Sequence, residues 1–397
     1  MITIKEAKEI LSKNITTMPF EDIDLKKSLG FVLAKSVYSN LNLPPFSQSA
    51  MDGYAVRFDI AQHREMNIRF EVLAEIKAGD TAKFKLKLNQ AARIFTGAPI
   101  PAETTAVIMQ EKVKLEKGQV VIAVTDLKPG INIRGKGTQI KKGALALEKG
   151  AYITPAAMGY LFALGESKIR VIKKPVASIL STGNELQVTG KLLLPGKIYE
   201  SNSGMLNAAL VQNGFKASKL KTSKDNAKTI KTNLAKMLEV SNVIIITGGI
   251  SVGKYDLVKD ILLQLGVKEL FYKVAQKPGK PLFLGRLKDK LIFALPGNPA
   301  AALVCFYEYV LPALRKMSGI IPFDIEKVYL PLLEAYAMKG DRDVFLKAQI
   351  TNQKVKILDG QESNMLHSFA IANAIVYLPA GNNTIEKGTL VETHLLF

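Results

Sequence analysis

Apolar and polar positions divide the 397-residue chain into stretches of different period. Near the N-terminus Ile4, Ala7, Ile10 and Leu11 fall on one side of a 3.6-residue repeat, which predicts a short amphipathic helix over 3–13. Over 46–128 the period shortens. "FKLKLN" alternates and "VVIAVT" is β-branched, each bounded by Gly or Pro, which predicts a β-rich region. A glycine-dense segment follows and turns helical at Thr154, an N-cap with Pro155 at the first helical position. From about 169 three short apolar runs appear: "VASIL" (176–180), "VIIIT" (243–247) and "LIFAL" (291–295). Helical stretches near 203–213, 226–239, 256–265 and 299–315 separate them. Buried strands alternating with helices predict a parallel sheet covered on both faces. From about 319, "VYLPLL", "VFLKAQI", "AIVYLPAG" and "TLVETHLLF" predict a small β domain, closed or sandwiched. The fold class is therefore multidomain α/β plus β.

Composition narrows the classes. At 48% hydrophobic and 22% charged, the chain is globular rather than disordered. No run reaches the roughly 18 apolar residues of a membrane span, and the charged start "MITIKEAKEILSKN" lacks the apolar core of a secretory signal. A single cysteine, Cys305, excludes an internal disulfide, fits a cytoplasmic protein, and lies in an apolar helix as a core residue. His63, His367 and His394 are scattered, which excludes a paired-histidine zinc site. The net charge is +19, mostly lysine. Its densest run, "KASKLKTSKDNAKTIK" (216–231), has no aromatic residue for base stacking, so it reads as a solvated face and no nucleic-acid or membrane partner is expected.

The candidate chemistry follows the three apolar runs. After "VASIL" come Thr182, Gly183, Asn184 and Glu185. After "VIIIT" come Gly248, Gly249, Ser251, Gly253 and Asp256. After "LIFAL" come Pro296, Gly297, Asn298 and Pro299. Ligands of open α/β sheets bind outside the carboxyl ends of the strands, so all three loops belong on one edge. Glycines there let backbone N–H groups approach an anion, and Asn298 with Pro299 marks a helix start. "QKPGKPLFLG" adds Lys277 and Lys280 around a stiff turn, suited to phosphate. The acids Glu185 and Asp256 repel such a ligand unless a hard divalent cation, Mg²⁺, sits between them. In "SAMDGYAV", Asp52 stands beside Gly53 in an apolar setting that a turn alone does not explain.

Taken in order, "PPFSQSAMDGYAV", "IFTGAPIP", "NIRGKG", "STGNELQ", "YESNSGML", "ITGGISVGKYD", "QKPGKPLFLG" and "LPGNPAAALVCF" cover nearly the whole chain. This set resembles the molybdopterin molybdenumtransferase family, also found as the E domain of gephyrin. The resemblance implies an elongated discontinuous domain (1–45 and 129–168) and an inserted β domain (46–128). It further implies a central α/β domain like the molybdopterin adenylyltransferases (169–318) and a C-terminal β-barrel-like domain (319–397). It implies a homodimer with its cleft between subunits, and a reaction in which adenylylated molybdopterin and molybdate, with Mg²⁺, give the molybdenum cofactor and AMP. By resemblance, Asp52, Glu185 and Asp256 handle the metal, and Lys277 and Lys280 neutralise phosphate or molybdate. Thr96 and Gly97 neighbour Asp52 and donate to the anion. Thr182, Gly183, Asn202, Gly248, Gly249, Ser251, Pro296, Gly297, Asn298 and Pro299 cradle the substrate.

The chain departs from the family pattern at Gln139, Lys224, Lys254 and Ala300, where acids or a serine are usual. Each change removes negative charge or hydrogen-bonding capacity near the expected site. A non-catalytic paralogue that binds molybdopterin or a partner as a scaffold or chaperone is the alternative. Retention of Asp52, Glu185, Asp256 and both lysines favours the enzyme.

Overall fold

The computed structural model describes residues 1–62, 65–250 and 257–396. Among them no helix is long and apolar enough to cross a membrane. The chain forms two compact units, one of Ile23–Leu29 and Lys35–Ile169, the other of Met1–Asp22, Gly30–Ala34 and Arg170–Phe397.

The smaller unit is built on a six-stranded sheet in the order β4-β1-β3-β2-β6-β5. Its strands are β1 (Gly53–Val56), β2 (Asn67–Ile76), β3 (Gln90–Ile94), β4 (Ala106–Met109), β5 (Val113–Glu116) and β6 (Gln119–Ala123). Every residue of β1 is buried between antiparallel β3 and β4. Side-chain alternation sends Tyr54 and Val56 into one core with Phe70 and Ile122, and Ala55 into another with Ile94 and Val107. Gln48–Ser49 pairs with Ile133–Arg134, which lays "PPFSQSAMDG" beside "NIRGKG". The helix Pro155–Ala163 starts as its sequence predicts: the Thr154 hydroxyl accepts the Ala157 N–H at 3.1 Å.

The larger unit holds a second six-stranded sheet, ordered β8-β7-β9-β12-β11-β10. The strands are β7 (Ala177–Thr182), β8 (Ala217–Ser223), β9 (Val243–Thr247), β10 (Lys268–Tyr272), β11 (Phe283–Leu287) and β12 (Lys290–Leu295). The expectation of a parallel sheet needs correction at one edge. β8, β7, β9 and β12 are parallel, but β11 runs antiparallel to both its neighbours, β12 and β10. Leu287 and Lys290 are paired across a two-residue turn, a connection only antiparallel strands can use. β8 lies inside the lysine-rich run.

Helices α1 (Ile4–Lys13), α2 (Asn202–Gln212), α3 (Ala227–Val240), α4 (Leu257–Gln264), α5 (Pro299–Cys305) and α6 (Leu311–Met317) complete this part, with a π-helical turn over Phe306–Val310 joining the last two. Alternate residues of the buried strands face opposite cores. Ile179, Ile245 and Phe293 meet Leu11, Leu206, Leu210 and Phe306, whereas Leu180, Ile244, Ile246 and Ile292 meet Ile230, Leu234, Val258 and Ile261. Both faces are thus covered, as predicted. A further sheet follows from β13 (Lys327–Pro331), β14 (Asp343–Thr351), β15 (Lys354–Ile357), β16 (Ala374–Leu378) and β17 (Leu390–Leu395). β14, β16, β17 and β13 are neighbours in that order, β15 pairs with β14, and Gln276–Lys277 joins β14 in parallel.

Candidate functional site

β7, β9 and β12 end together, because they pair in parallel with Thr182, Thr247 and Leu295 near one edge. Gly248 turns the chain back over the end of β7 with φ +85°, and a Cβ there would lie 2.2 Å from the Thr182 carbonyl oxygen. The edge holds a cavity of about 350 Å³. It gathers Thr182, Glu185, Asn202, Gly248, Gly297, Asn298 and Pro299. Gly183 and Gly249 shape the same loops without lining this cavity. Gly183 donates its N–H to the Ser223 carbonyl at 3.1 Å, and the Glu185 carboxylate folds back close over it. Ser251 and Asp256 lie outside the described residues.

Hydrogen bonding in the cavity is incomplete. Thr182 is 3% exposed, yet its Oγ1 has no partner among the described residues, and neither has the buried Oδ1 of Asn202. The other half of the Asn202 amide is engaged: Nδ2 donates to the Gly297 carbonyl at 2.7 Å, tying α2 to the "PGNP" loop. Native folds seldom bury unpaired polar atoms, and two in one cavity mark a place for a polar ligand.

Glu200 also lines this cavity and was not assigned from sequence, although it lies in "YESNSGML". Its carboxylate accepts the Ser181 hydroxyl and the Ser203 N–H, both at 2.9 Å, and the Ser203 hydroxyl as well. Those bonds cap α2 from the residue before Ser201 and occupy the acid, whereas no hydrogen bond of the Glu185 carboxylate is seen among the described residues. Asn298 holds the N-cap position of α5 without a side-chain cap bond. Its Nδ2 donates instead to Ser363 Oγ at 2.6 Å.

Lys277, Lys280 and Pro296 line a second cavity, of about 480 Å³, which shares Asn298 and Asn364 with the first. Arg342 and Glu362 also line it. Beneath the lysine turn, the buried Gln276 amide donates to the Pro278 and Gly279 carbonyls and accepts the Tyr309 hydroxyl. Cys305 packs against Gly279, and burial pushes its thiol pKa up, as befits a core residue. Arg342, Ser363 and Asn364 were not legible as site residues. They belong to a polar stretch of the C-terminal region, and only the folding of β14 against Gln276–Lys277 brings that stretch to the site.

In the smaller unit Asp52 is exposed, and its carboxylate accepts both the Thr96 N–H (2.7 Å) and the Thr96 hydroxyl (2.8 Å). These bonds, with a smaller effect of Arg93, hold its pKa below the usual aspartate value. Gly97 donates its N–H to the Ser49 carbonyl at 2.9 Å. Within the described residues the N–H groups of Thr96 and Gly97 fix Asp52 and the turn around it. Gly53 serves a close approach rather than a turn: a Cβ would sit 1.9 Å from the Ile108 carbonyl oxygen. Among the described residues no three His, Cys, Asp or Glu side chains cluster as a metal site. Of the departures, Gln139 and Lys224 are exposed, Ala300 is buried in the core and Lys254 lies outside the described residues, while the neighbouring acid Asp225 exchanges hydrogen bonds with Asn184 across the "TGNEL" loop.

Fold and cavity define a multidomain α/β protein with a candidate ligand site at the carboxyl edge of its central sheet. Residues 2–165 match the MoeA N-terminal region (domains I and II), 178–316 a probable molybdopterin binding domain, and 329–396 the MoeA C-terminal region (domain IV). The molybdopterin molybdenumtransferase of Staphylococcus epidermidis is 32% identical over 99% of this chain and 95% of its own. That of a Nostoc species is 34% identical over 93% and 87%. The crystal structure of a molybdopterin biosynthesis MoeA protein from Pyrococcus horikoshii superposes with a TM-score of 0.84 at 29% identity, covering 100% of both chains. The chain belongs to the molybdopterin molybdenumtransferase family of enzymes, and its role lies in molybdenum cofactor biosynthesis.

Proposed function

We propose that the chain transfers molybdenum from molybdate into adenylylated molybdopterin and releases AMP. The observation that carries this reading is the pair of adjoining cavities. The first presents buried oxygens of Thr182 and Asn202, unpaired among the described residues, beside Glu185, and the second presents Lys277, Lys280 and Arg342. A substrate with one polar, phosphorylated end and a separate oxyanion matches that division. Lysine and arginine offset the negative charge of molybdate and of the phosphoanhydride, and Asn298 at the shared wall orients both.

The donor set of the first cavity fits Mg²⁺, because a carboxylate, an amide oxygen and a hydroxyl are hard oxygen ligands. Glu185, with Thr182 and Asn202 nearby, would hold the ion. Bound there, Mg²⁺ would neutralise charge on the phosphoanhydride. From the family resemblance we also propose a homodimer in which Asp52, aimed by Thr96, completes the site of the other subunit, with Asp256 as a further metal ligand.

Complementation tests the arrangement. Asp52→Ala and Glu185→Ala are each expected to be inactive. Mixed and re-equilibrated, the two should regain about a quarter of wild-type activity, since shuffled dimers rebuild one intact site. Two inactive variants that stay inactive when mixed would contradict a shared site.

A further inference from the structure

We propose that Lys347 is a positioning residue for this reaction, whose buried ammonium sets the loop 360–365 as the wall common to the two cavities. The inference rests on the reading of those cavities given above.

Lys347 lies in β14 and is 3% exposed. No carboxylate pairs with it among the described residues. Its Nζ donates instead to three backbone carbonyls of one loop, those of Gly360, Glu362 (3.2 Å) and Met365 (2.9 Å). Gln361 secures the base of the loop. Its Nε2 donates to the carbonyls of Lys347 (2.8 Å) and Leu358 (2.6 Å), and its Oε1 accepts the Lys347 N–H at 2.9 Å.

The same loop reaches the site. Ser363 Oγ accepts Asn298 Nδ2, the Ser363 carbonyl accepts the Ala301 N–H at 3.4 Å, and Asn364 lines both cavities. Each carbonyl has a second donor, the Met365 N–H for Glu362 (3.1 Å) and the Ser368 hydroxyl for Gly360 (2.9 Å) and Met365 (3.4 Å). But the single Ser368 proton serves only one of its two carbonyls at a time, and an apolar residue at 347 would remove the one group that joins all three. A multiple donor at this position therefore ties three points of the loop to β14 at once. A chain of direct contacts runs from Lys347 through the loop to Asn298. Lys347 itself touches no ligand and is not a catalytic residue.

The test compares wild type with Lys347→Met, which keeps the volume and removes the donors, and with Lys347→Arg, which restores them. Amide hydrogen exchange is followed over 360–366, and kinetics are measured with adenylylated molybdopterin and molybdate. In Lys347→Met, exchange of the loop should speed up about tenfold, and KM should rise about tenfold with kcat within about threefold. Lys347→Arg should recover most of both. If Lys347→Met does not fold, Gln361→Ala, which loosens the same loop without touching the buried cation, should show the same KM effect at smaller size. A variant with lowered Tm but unchanged KM and loop exchange overturns the proposal. An inactive wild-type chain would instead overturn the reading of the cavities, and this inference with it.

Discussion

Thr182 shows how a single residue can be set against stability. Its buried hydroxyl has no partner among the described residues, which weakens the fold, and under the proposed function a ligand or ion would supply that partner. Thr182→Val, near-isosteric, should therefore leave stability unchanged or raise it by about 1 kcal/mol while weakening substrate binding. Denaturant unfolding with substrate titration measures both, and a parallel loss of both would show that the hydroxyl is structural. Residue identities at the cavity were largely legible, because Thr182, Glu185, Gly248 and Asn298 each lie at or within three residues of the end of a recognisable strand. What any one side chain bonds to was not. The family resemblance made Thr96 a neighbour of Asp52, but that its N–H and hydroxyl donate to the carboxylate is seen only once β1 pairs with β3.

At the scale of elements, apolar runs announced β7, β9 and β12, because strands buried on both faces have no polar side to disguise them. β8 escaped notice because it is the sheet's edge: Lys221 faces water while Lys219 is half-buried and donates to the Lys236 carbonyl at 3.3 Å, and edge lysines discourage strand-to-strand aggregation. β10 and β11 escaped because a run of residues does not reveal strand direction. Close packing of β1 was equally hidden behind Gly53, whose role reads from sequence as a turn. Gly53→Ala should cost at least about 2 kcal/mol, since the obstacle is the backbone of β4, which cannot step aside as a side chain could. Urea unfolding of the variant checks this, and a change under half that size would mean that β1 and β4 separate easily.

Over the whole molecule, one buried network ties distant parts of the larger unit together. Glu308, in the π-helical turn, pairs with Lys8 of α1 at 2.6 Å and with His394 of β17 at 2.5 Å. His394 in turn meets Glu392, which pairs with Lys327 of β13. Nothing in the sequence joins positions 8, 308 and 394, so this link was illegible. Burial alone would raise the Glu308 pKa, but the charge of Lys8 and the hydrogen bond from His394 bring it down from 4.5 to about 2. A carboxylate with a depressed folded pKa stabilises fully above its unfolded value and loses that contribution as pH falls through its folded one. The chain should accordingly lose stability from about pH 4.5 towards 2. Glu308→Gln, which strands the buried partners, should cost about 3–5 kcal/mol near neutrality and flatten that acid limb. Unfolding of both proteins across the pH range decides it, and parallel acid limbs would remove Glu308 from the account.

The central claim is that this pair of cavities carries out molybdenum transfer, and AMP release from adenylylated molybdopterin by the purified chain tests it most directly. The assay contains Mg²⁺, runs with and without molybdate, and includes Asp52→Ala and Glu185→Ala alongside wild type. Release that requires molybdate and disappears in both variants is the predicted result. Tight binding of the adenylylated compound without any molybdate-dependent release would contradict it and make the chain a scaffold, with Gln139 as the first position at which to restore an acid.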